Sequence, residues 1–470
     1  MTVKTASLRE LLGDLPDFEQ GAAPGQTPFR LDRTRALLAE LGHPEDSFHT
    51  VHVVGTKGKG SVAAMLTAIL TGAGYHVGTF TSPHLLHLNE RFAVQGHPMP
   101  SEALQSVWLD QVQPAVESVR ERHGQITMFE ALTVLAFVAF GREAVEVAIV
   151  EAGLGGSLDA TNAMRHPSVI VLTPISLDHT EILGSTLTEI ATDKAGVIKP
   201  GTSVVMGLQS AVAERAIVRR SQEAGATLRP VRERVWIEGR EPGRHTQRVI
   251  LRVEGRRMEL TLPLQGRHQA ENAGTAVLAV TCLVEKLKGR QSLATALRDA
   301  FREDSPEARG LAVPVQTIID GLQRATLRGR FEQLAEGPPV IADVAHNVAS
   351  ARALDATVRE VLGRPPYYVV GMAADKDHAA FAQALSPNAQ GFICVQANHP
   401  RAMPAEALAE RIKAGAPGVS VESFASVADG LRAAGIRASQ STPVVVTGSF
   451  HVVAAALRSL QEGQWEMSSG

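Results

Sequence analysis

The stretch that most constrains this chain is His49-Thr-Val-His-Val-Val-Gly-Thr-Lys-Gly-Lys-Gly-Ser61, followed at once by Val62-Ala-Ala-Met-Leu-Thr-Ala-Ile-Leu70. The apolar run ending at Val53-Val54 predicts a buried strand, and the run after Ser61 predicts a helix. Between them lies a glycine-rich turn, Gly55-x-x-Gly58-Lys59-Gly60-Ser61, which is not the standard G-x-x-x-x-G-K-[ST] spacing. Strand, glycine turn and helix together form an anion cradle: glycines let backbone N–H groups wrap a phosphate, and the helix N-terminus adds positive potential. Lys59 is placed to reach a terminal phosphate, and the Ser61 hydroxyl to hold or face Mg²⁺. The competing reading is a plain glycine-rich turn with a surface lysine.

A chain of 470 residues exceeds one ordinary core, so two or three domains are expected. With 46 basic and 49 acidic residues and a net charge of −3, nothing marks a nucleic-acid binder. Cys282 and Cys394 stand far apart and in no metal-like spacing, which predicts a reducing compartment. Met1–Glu10 has no apolar signal-peptide core. The apolar run Ala131–Phe140 is about half of the ~20 residues a membrane span needs. A soluble, cytoplasmic protein without membrane or nucleic-acid partners is expected.

The chain alternates strands and helices, the signature of a parallel sheet covered on both faces. Arg33–Leu41 predicts a leading helix. Strands are predicted at 74–80, 144–150 and 168–173, and helices at 101–123, with a break or kink at Pro114, and at 129–141. Short alternating runs within Thr227–Leu264 predict a small antiparallel insertion. Gln269–Lys288 reads as helix, Gly289–Pro314 as a helix plus charged loop, and Val315–Ala325 as helix. Alternation restarts after Thr326–Arg330, with strands near 340–343, 367–370, 392–395, 419–421 and 443–447 and a final helix. The fold class is therefore α/β: an N-terminal P-loop ATPase domain (1–325) with a parallel sheet and a small antiparallel sheet, a linker (326–330), and a smaller C-terminal Rossmann-like domain (331–470).

Ligands bind at strand carboxyl ends in open α/β sheets. Three groups sit there: Gly55–Ser61, Glu151 and Asp178-His179. A carboxylate, an imidazole and a hydroxyl beside a phosphate cradle suit Mg²⁺ with a nucleotide; singly, Glu151 reads as a solvated charge and His179 as a structural histidine. Lys194, near a helix end, reads on physics alone as a solvated surface lysine. Thr127 with Glu130 three residues on reads as a capping box.

The ordered set Gly55–Ser61, Thr81–Leu85, Asn89–Arg91, Thr127–Glu130, Glu151–Gly156 with Leu158–Asn162, Leu177–Thr180, Asp193–Gly196, Gly329–Phe331, Asp343–Asn347, Asp375–Asp377 and Gly448–His451 resembles the folylpolyglutamate synthase/dihydrofolate synthase branch of the Mur ligase superfamily. The resemblance implies an ATP-dependent ligase that adds L-glutamate to folates through an acyl phosphate, and that also accepts dihydropteroate. It implies Lys59, Lys194 and His346 as catalytic; Gly58, Lys59, Gly60, Ser61 and Asn272 as ATP contacts from the first domain, and Arg330, Asp343 and His346 from the second. It places metal on Ser82, Glu151, His179 and Lys194, with two Mg²⁺ ions, a carbamylated Lys194 and room for a monovalent cation. It assigns Thr127, Met128, Phe129, Glu130, Leu158, Asp159 and Ala160 to the pterin ligand. A monomer is expected. Two departures stand out: Lys57 where many bacterial members carry Asn, and Phe18–Phe29, which matches no dihydropteroate-binding loop. The alternatives are a Mur-type amino-acid ligase with a different carboxylate acceptor, a phosphate-loop kinase or switch, and a silent folate-binding module.

Overall fold

The computed structural model describes residues 7–13, 15–18, 30–288, 313–438 and 442–462. Most of the expected helix and loop between Gly289 and Pro314, and nearly all of Phe18–Phe29, lie outside them. Two compact units emerge. One runs to Arg240 and adds Val249–Leu262 and Gln269–Thr326; the other holds Glu241–Arg248, Pro263–His268 and the chain from Leu327 onward.

The first unit is built on strands β1 (His49–Val54), β2 (Val77–Phe80), β3 (Phe92–Val94), β4 (His97–Pro98), β5 (Val147–Glu151), β6 (Val169–Leu172), β7 (Ser203–Met206) and β8 (Thr227–Pro230). They lie side by side as β4-β3-β2-β5-β1-β6-β7-β8. β2 through β8 pair in parallel, while β3 and β4 extend the β2 edge antiparallel. β1, β5 and β6 are buried almost throughout, as strands covered on both faces must be. β5 lies on one side of β1 and β6 on the other, so the chain reverses direction across the sheet at β1. That is the switch point where a crevice opens at the carboxyl ends.

The helix Met128–Arg142 is buried on nearly every face. Phe137 and Phe140 pack against Phe48, with ring centroids 6.1 and 6.2 Å away; burying a side chain of this size contributes roughly 1.5–3 kcal/mol. The expected break near Pro114 takes a specific form. A π-helical turn, Trp108–Val112, separates the helices Ser101–Val107 and Gln113–His123. Pro114 cannot donate to the carbonyl four residues back, and the wider turn absorbs that loss.

The expected insertion is a three-stranded sheet of β9 (Val235–Pro242), β10 (Gln247–Val253) and β11 (Arg256–Leu262), in the order β11-β10-β9. β10 and β11 are joined by Glu254-Gly255 with φ of 47° and 81°, the positive pair of a two-residue hairpin turn. Thr227–Pro230 departs from expectation: it pairs in parallel with β7 in the large sheet.

The second unit carries β12 (Glu332–Glu336), β13 (Pro339–Ala342), β14 (Tyr367–Val370), β15 (Gly391–Val395), β16 (Ser420–Phe424) and β17 (Val444–Thr447), ordered β12-β13-β17-β14-β15-β16. All pair in parallel except β12 with β13. Tyr368, Phe381 and Phe392 anchor its core, and Tyr368 stacks on Phe392 at 5.6 Å.

His52, in the middle of β1, is fully buried and its Nε2 meets Thr161 Oγ1 at 2.8 Å. Burial, and next the charge of Lys199, push its pKa from 6.5 down to about 3. Below pH 6.5 the unfolded chain takes up a proton here that the folded chain refuses until about pH 3. Stability is therefore lost as pH falls through that window, by at most about 1.4 kcal/mol per pH unit. Urea unfolding of His52→Gln is expected to show a shallower loss between pH 6.5 and 4.5 than the parent; an identical slope contradicts this.

Candidate active site at the carboxyl ends of the first sheet

β1 ends at Val54 and the chain enters the glycine turn. Gly58 has φ of 83° and serves as N-cap of the helix Lys59–Gly72. Having no side chain to accept from the first-turn N–H groups, it leaves them to a ligand. A Cβ on Gly58 would come within 2.7 Å of Asn272 Oδ1, so the Asn272 side chain lies directly against the turn. Asn272 is itself held by Gln269, Nδ2 to Oε1 at 3.1 Å. The turn is also pinned to the loop after β6: the amides of Thr56 and Lys57 donate to Pro174 O at 3.0 and 3.1 Å.

Three strand ends converge here. Lys59 Nζ lies 3.8 Å from Oε1 of Glu151, the buried last residue of β5. Beyond β6, Lys57 Nζ reaches Asp178 Oδ2 at 3.3 Å, and His179 Nε2 lies 4.0 Å from Asp178 Oδ1. Ser82 follows β2, the other neighbour of β5. The structure thus gathers Lys59, Glu151, Asn272 and the Asp178-His179 pair around the glycine turn. Lys57 and its partner Asp178 were not paired in the sequence reading, since 121 residues separate them.

Lys194 corrects an expectation. It is not a solvated surface lysine; it is 5% exposed, in the helix Leu187–Ala195, and donates to Gly155 O at 3.4 Å. The loop after β5 runs directly beneath this helix: a Cβ on Gly156 would sit 2.6 Å from Lys194 Cα. Burial first, then the charge of Lys59, pushes the Lys194 pKa down to about 8, against the pull of Asp193, Asp159 and Asp178. An appreciable share of this amine is therefore neutral near neutral pH, unlike that of an exposed lysine.

Next to this cluster, Asp159 is buried and accepts from the amides of Leu154 and Thr161, both at 2.9 Å, and from the Thr161 hydroxyl. Burial holds its pKa above the usual carboxylate value. Ala160 is buried beside it, whereas Leu158 is 47% exposed. Phe129 packs on Phe80 at 5.9 Å and over Gly153, so Phe129 and Leu158 are the expected pterin residues with apolar surface to offer. Thr127, Met128 and Glu130 are buried. Thr127 and Glu130 form the expected reciprocal cap.

Glu130 also pairs with Arg33, Nε to Oε1 at 2.9 Å, and both side chains are nearly enclosed. This pair, 97 residues apart in the chain, has no local sequence signal. It ties the leading helix Leu31–Glu40 to the turn that presents Phe129. Breaking one half of a buried pair strands the other charge, at a cost of about 3 kcal/mol or more. Arg33→Met is therefore expected to lower stability by that order in denaturant unfolding, and Arg33→Met with Glu130→Gln to recover part of it; an unaltered midpoint in the single variant contradicts the assignment.

In the second unit, Asp343 follows β13 and accepts from the amides of Phe331 and Ala345 at 3.0 and 2.9 Å. His346 Nδ1 lies 2.9 Å from Val344 O. A carbonyl only accepts, so Nδ1 carries the proton in the neutral ring and Nε2 is the basic nitrogen. Phe450 is a shared platform, with Arg330 Cζ 5.3 Å above its ring and the His346 ring 6.4 Å away. In the loop after β14, Asp375 binds Arg401 at 2.9 Å. The sequence names Arg330, Asp343 and His346 as site residues and holds Phe450 within the Gly448–His451 motif without a role; the contacts with Arg330 and His346 supply one.

With this geometry in place, comparison with known proteins is decisive. The Mur ligase middle domain matches residues 53–280, and the Mur ligase glutamate ligase domain matches residues 329–450. The dihydrofolate synthase/folylpolyglutamate synthase of Escherichia coli (strain K12) is 34% identical over 90% of this chain and 89% of its own. The enzyme of the same description from Bacillus subtilis (strain 168) is 33% identical over 81% of this chain and 83% of its own. This chain belongs to the folylpolyglutamate synthase/dihydrofolate synthase family of Mur ligases. Solved structures agree. Mycobacterium tuberculosis folylpolyglutamate synthase complexed with ADP and AMPPCP superposes with a TM-score of 0.81 at 30% identity, covering 92% of this chain and 95% of that one. Escherichia coli FolC in complex with DHPP and ADP gives 0.80 at 29% identity, covering 98% and 99%. Among the described residues, no helix is long and apolar enough to cross a membrane.

Proposed function

We propose that this chain is an ATP-dependent ligase that adds L-glutamate to folates, using both tetrahydrofolate and dihydropteroate as acceptors. The observation that carries the reading is the meeting of a phosphate-type glycine turn with Lys59, buried Glu151 and buried Lys194 at the switch point of the first sheet. The residues present fit nucleotide and metal. Asn272 lies against a side-chain-free N-cap, and the buried Asp193 Oδ2, beside Lys194, has no hydrogen-bond partner. Ser82, Glu151, His179 and a carbamylated Lys194 would hold two Mg²⁺ ions, with a monovalent cation admitted beside them. Mg²⁺ bound there supplies Lewis-acid withdrawal of charge from the phosphate oxygens.

In the first step a substrate carboxylate attacks the γ-phosphorus of ATP, forming an acyl phosphate and releasing ADP. Gly58, Gly60 and Ser61 cradle the phosphates through their N–H groups, and Lys59 neutralises charge on the transferred group. In the second step the glutamate amine attacks the acyl carbon and phosphate leaves. His346 accepts the amine proton at Nε2, its Nδ1 being held by Val344 O. Arg330 and Asp343 are the nucleotide contacts of the second unit. Phe129 and Leu158 stack on the pterin ring, with Thr127, Met128, Glu130, Asp159 and Ala160 shaping its pocket. Carbamylation joins the neutral Lys194 amine to CO₂ and releases one proton.

On this reading 1–325 form the ATP-binding domain, 326–330 the linker and 331–470 the glutamate-ligase domain, although Glu241–Arg248 and Pro263–His268 group with the second compact unit. A cytoplasmic monomer is the form in which this enzyme acts. Mass spectrometry of the product tests the reading: incubation with ATP, Mg²⁺ and L-glutamate extends tetrahydrofolate by whole glutamyl residues. Unextended tetrahydrofolate after ATP has been consumed overturns it.

A further inference from the structure

Remote from the switch point, the turn Pro44–Asp46 joins the helix Leu31–Glu40 to the amino end of β1. His43, Glu45 and Asp46 converge on it, and one ligand atom from each lies within 4.8 Å of the other two. His43 Nδ1 is 3.1 Å from Glu45 Oε1. The Glu45 side chain is 2% exposed, and its second oxygen, Oε2, is buried with no hydrogen-bond partner. A buried carboxylate oxygen without a donor is costly, and an ion is one of the few ways to satisfy it. Asp46 pairs with Arg165 through Oδ2.

We propose that His43, Glu45 and Asp46 form a binding site for a divalent transition-metal ion of the zinc class. The donor set decides the class. Magnesium and calcium favour all-oxygen shells, whereas one imidazole nitrogen with two carboxylates suits zinc, water filling the fourth position. The ion takes Nδ1 of the neutral imidazole, leaving the proton on Nε2, and satisfies Glu45. Asp46 bridges it to Arg165, which follows the turn Ala160–Ala163. The site is structural: it staples the entry to β1 at the strand end opposite the glycine turn.

The test is calorimetric titration of the whole protein with ZnCl₂ in saturating Mg²⁺, repeated on two variants. His43 has φ of 59°, which Asn tolerates better than most residues, so His43→Asn removes the ligand with little backbone penalty. Glu45→Gln keeps the shape and removes the charge. The parent is expected to bind zinc at micromolar or tighter affinity and to melt at a higher temperature with it. Both variants are expected to bind at least about tenfold more weakly and to lose the melting shift, while glutamate-ligase turnover in Mg²⁺ alone stays at the parent value. Millimolar binding by the parent, or equal zinc affinity in the parent and either variant, overturns the proposal.

Discussion

Lys59→Ala is expected to lower ligation kcat/KM by roughly 10³-fold in protein that still folds. The argument begins with position. Lys59 is the first residue of the helix Lys59–Gly72, and its Nζ hangs 3.8 Å from Glu151 in a site where both side chains are largely enclosed. A cation so placed acts on charge that builds on the transferred phosphoryl group, and losing one such preorganised contact costs on the order of 10²–10³ in rate. Lys59 also counters Glu151 in the resting site, so removing it weakens nucleotide binding as well. Lys59→Arg is not expected to restore activity, because a planar fork cannot substitute for a compact ammonium in this turn. A loss below about tenfold would separate Lys59 from the chemistry.

Lys194→Ala should abolish most ligation and yet bind ATP, and it carries the second large effect. Its amine is buried and donates to Gly155 O, Gly156 packs against its Cα, and its pKa is pushed down to about 8. A purely structural lysine in such a place would be a burden, since burial disfavours its charge. A carbamate there is a carboxylate ligand made from lysine. A small carboxylic acid such as formate is therefore expected to restore part of the turnover to Lys194→Ala. Acid rescue distinguishes a metal-binding carboxylate from a packing role, which formate cannot replace. Wild-type activity in Lys194→Ala sinks the carbamate assignment.

Lys194 also marks where sequence reasoning runs out. Its burial follows from a loop after β5 passing under a helix more than thirty residues later, a long-range fact with no local pattern. The ion pairs Arg33–Glu130 and Lys57–Asp178 were invisible for the same reason. Strands β1, β5, β6, β14 and β17 were legible because each is an apolar run bounded by turn residues. β12, Glu-Gln-Leu-Ala-Glu, was missed: it is an edge strand antiparallel to β13, and half-exposed edges lack an apolar run. Thr227–Pro230 is too short to show which sheet it joins, and only its parallel pairing with β7 decides. By contrast, the glycine turn was readable because phosphate cradles demand particular residues at particular places, whatever packs around them. Phe450 shows the converse: it stands in the Gly448–His451 motif, but its role as an aromatic at a helix start is legible only once Arg330 and His346 lie near its ring.

The measurement that tests the central claim most directly is ADP release with ATP and Mg²⁺, with and without L-glutamate, comparing dihydropteroate with tetrahydrofolate. The account predicts sustained release only when glutamate and either acceptor are both present. Release independent of glutamate, or stimulation by a UDP-muramoyl acceptor with both folate acceptors inert, would contradict it.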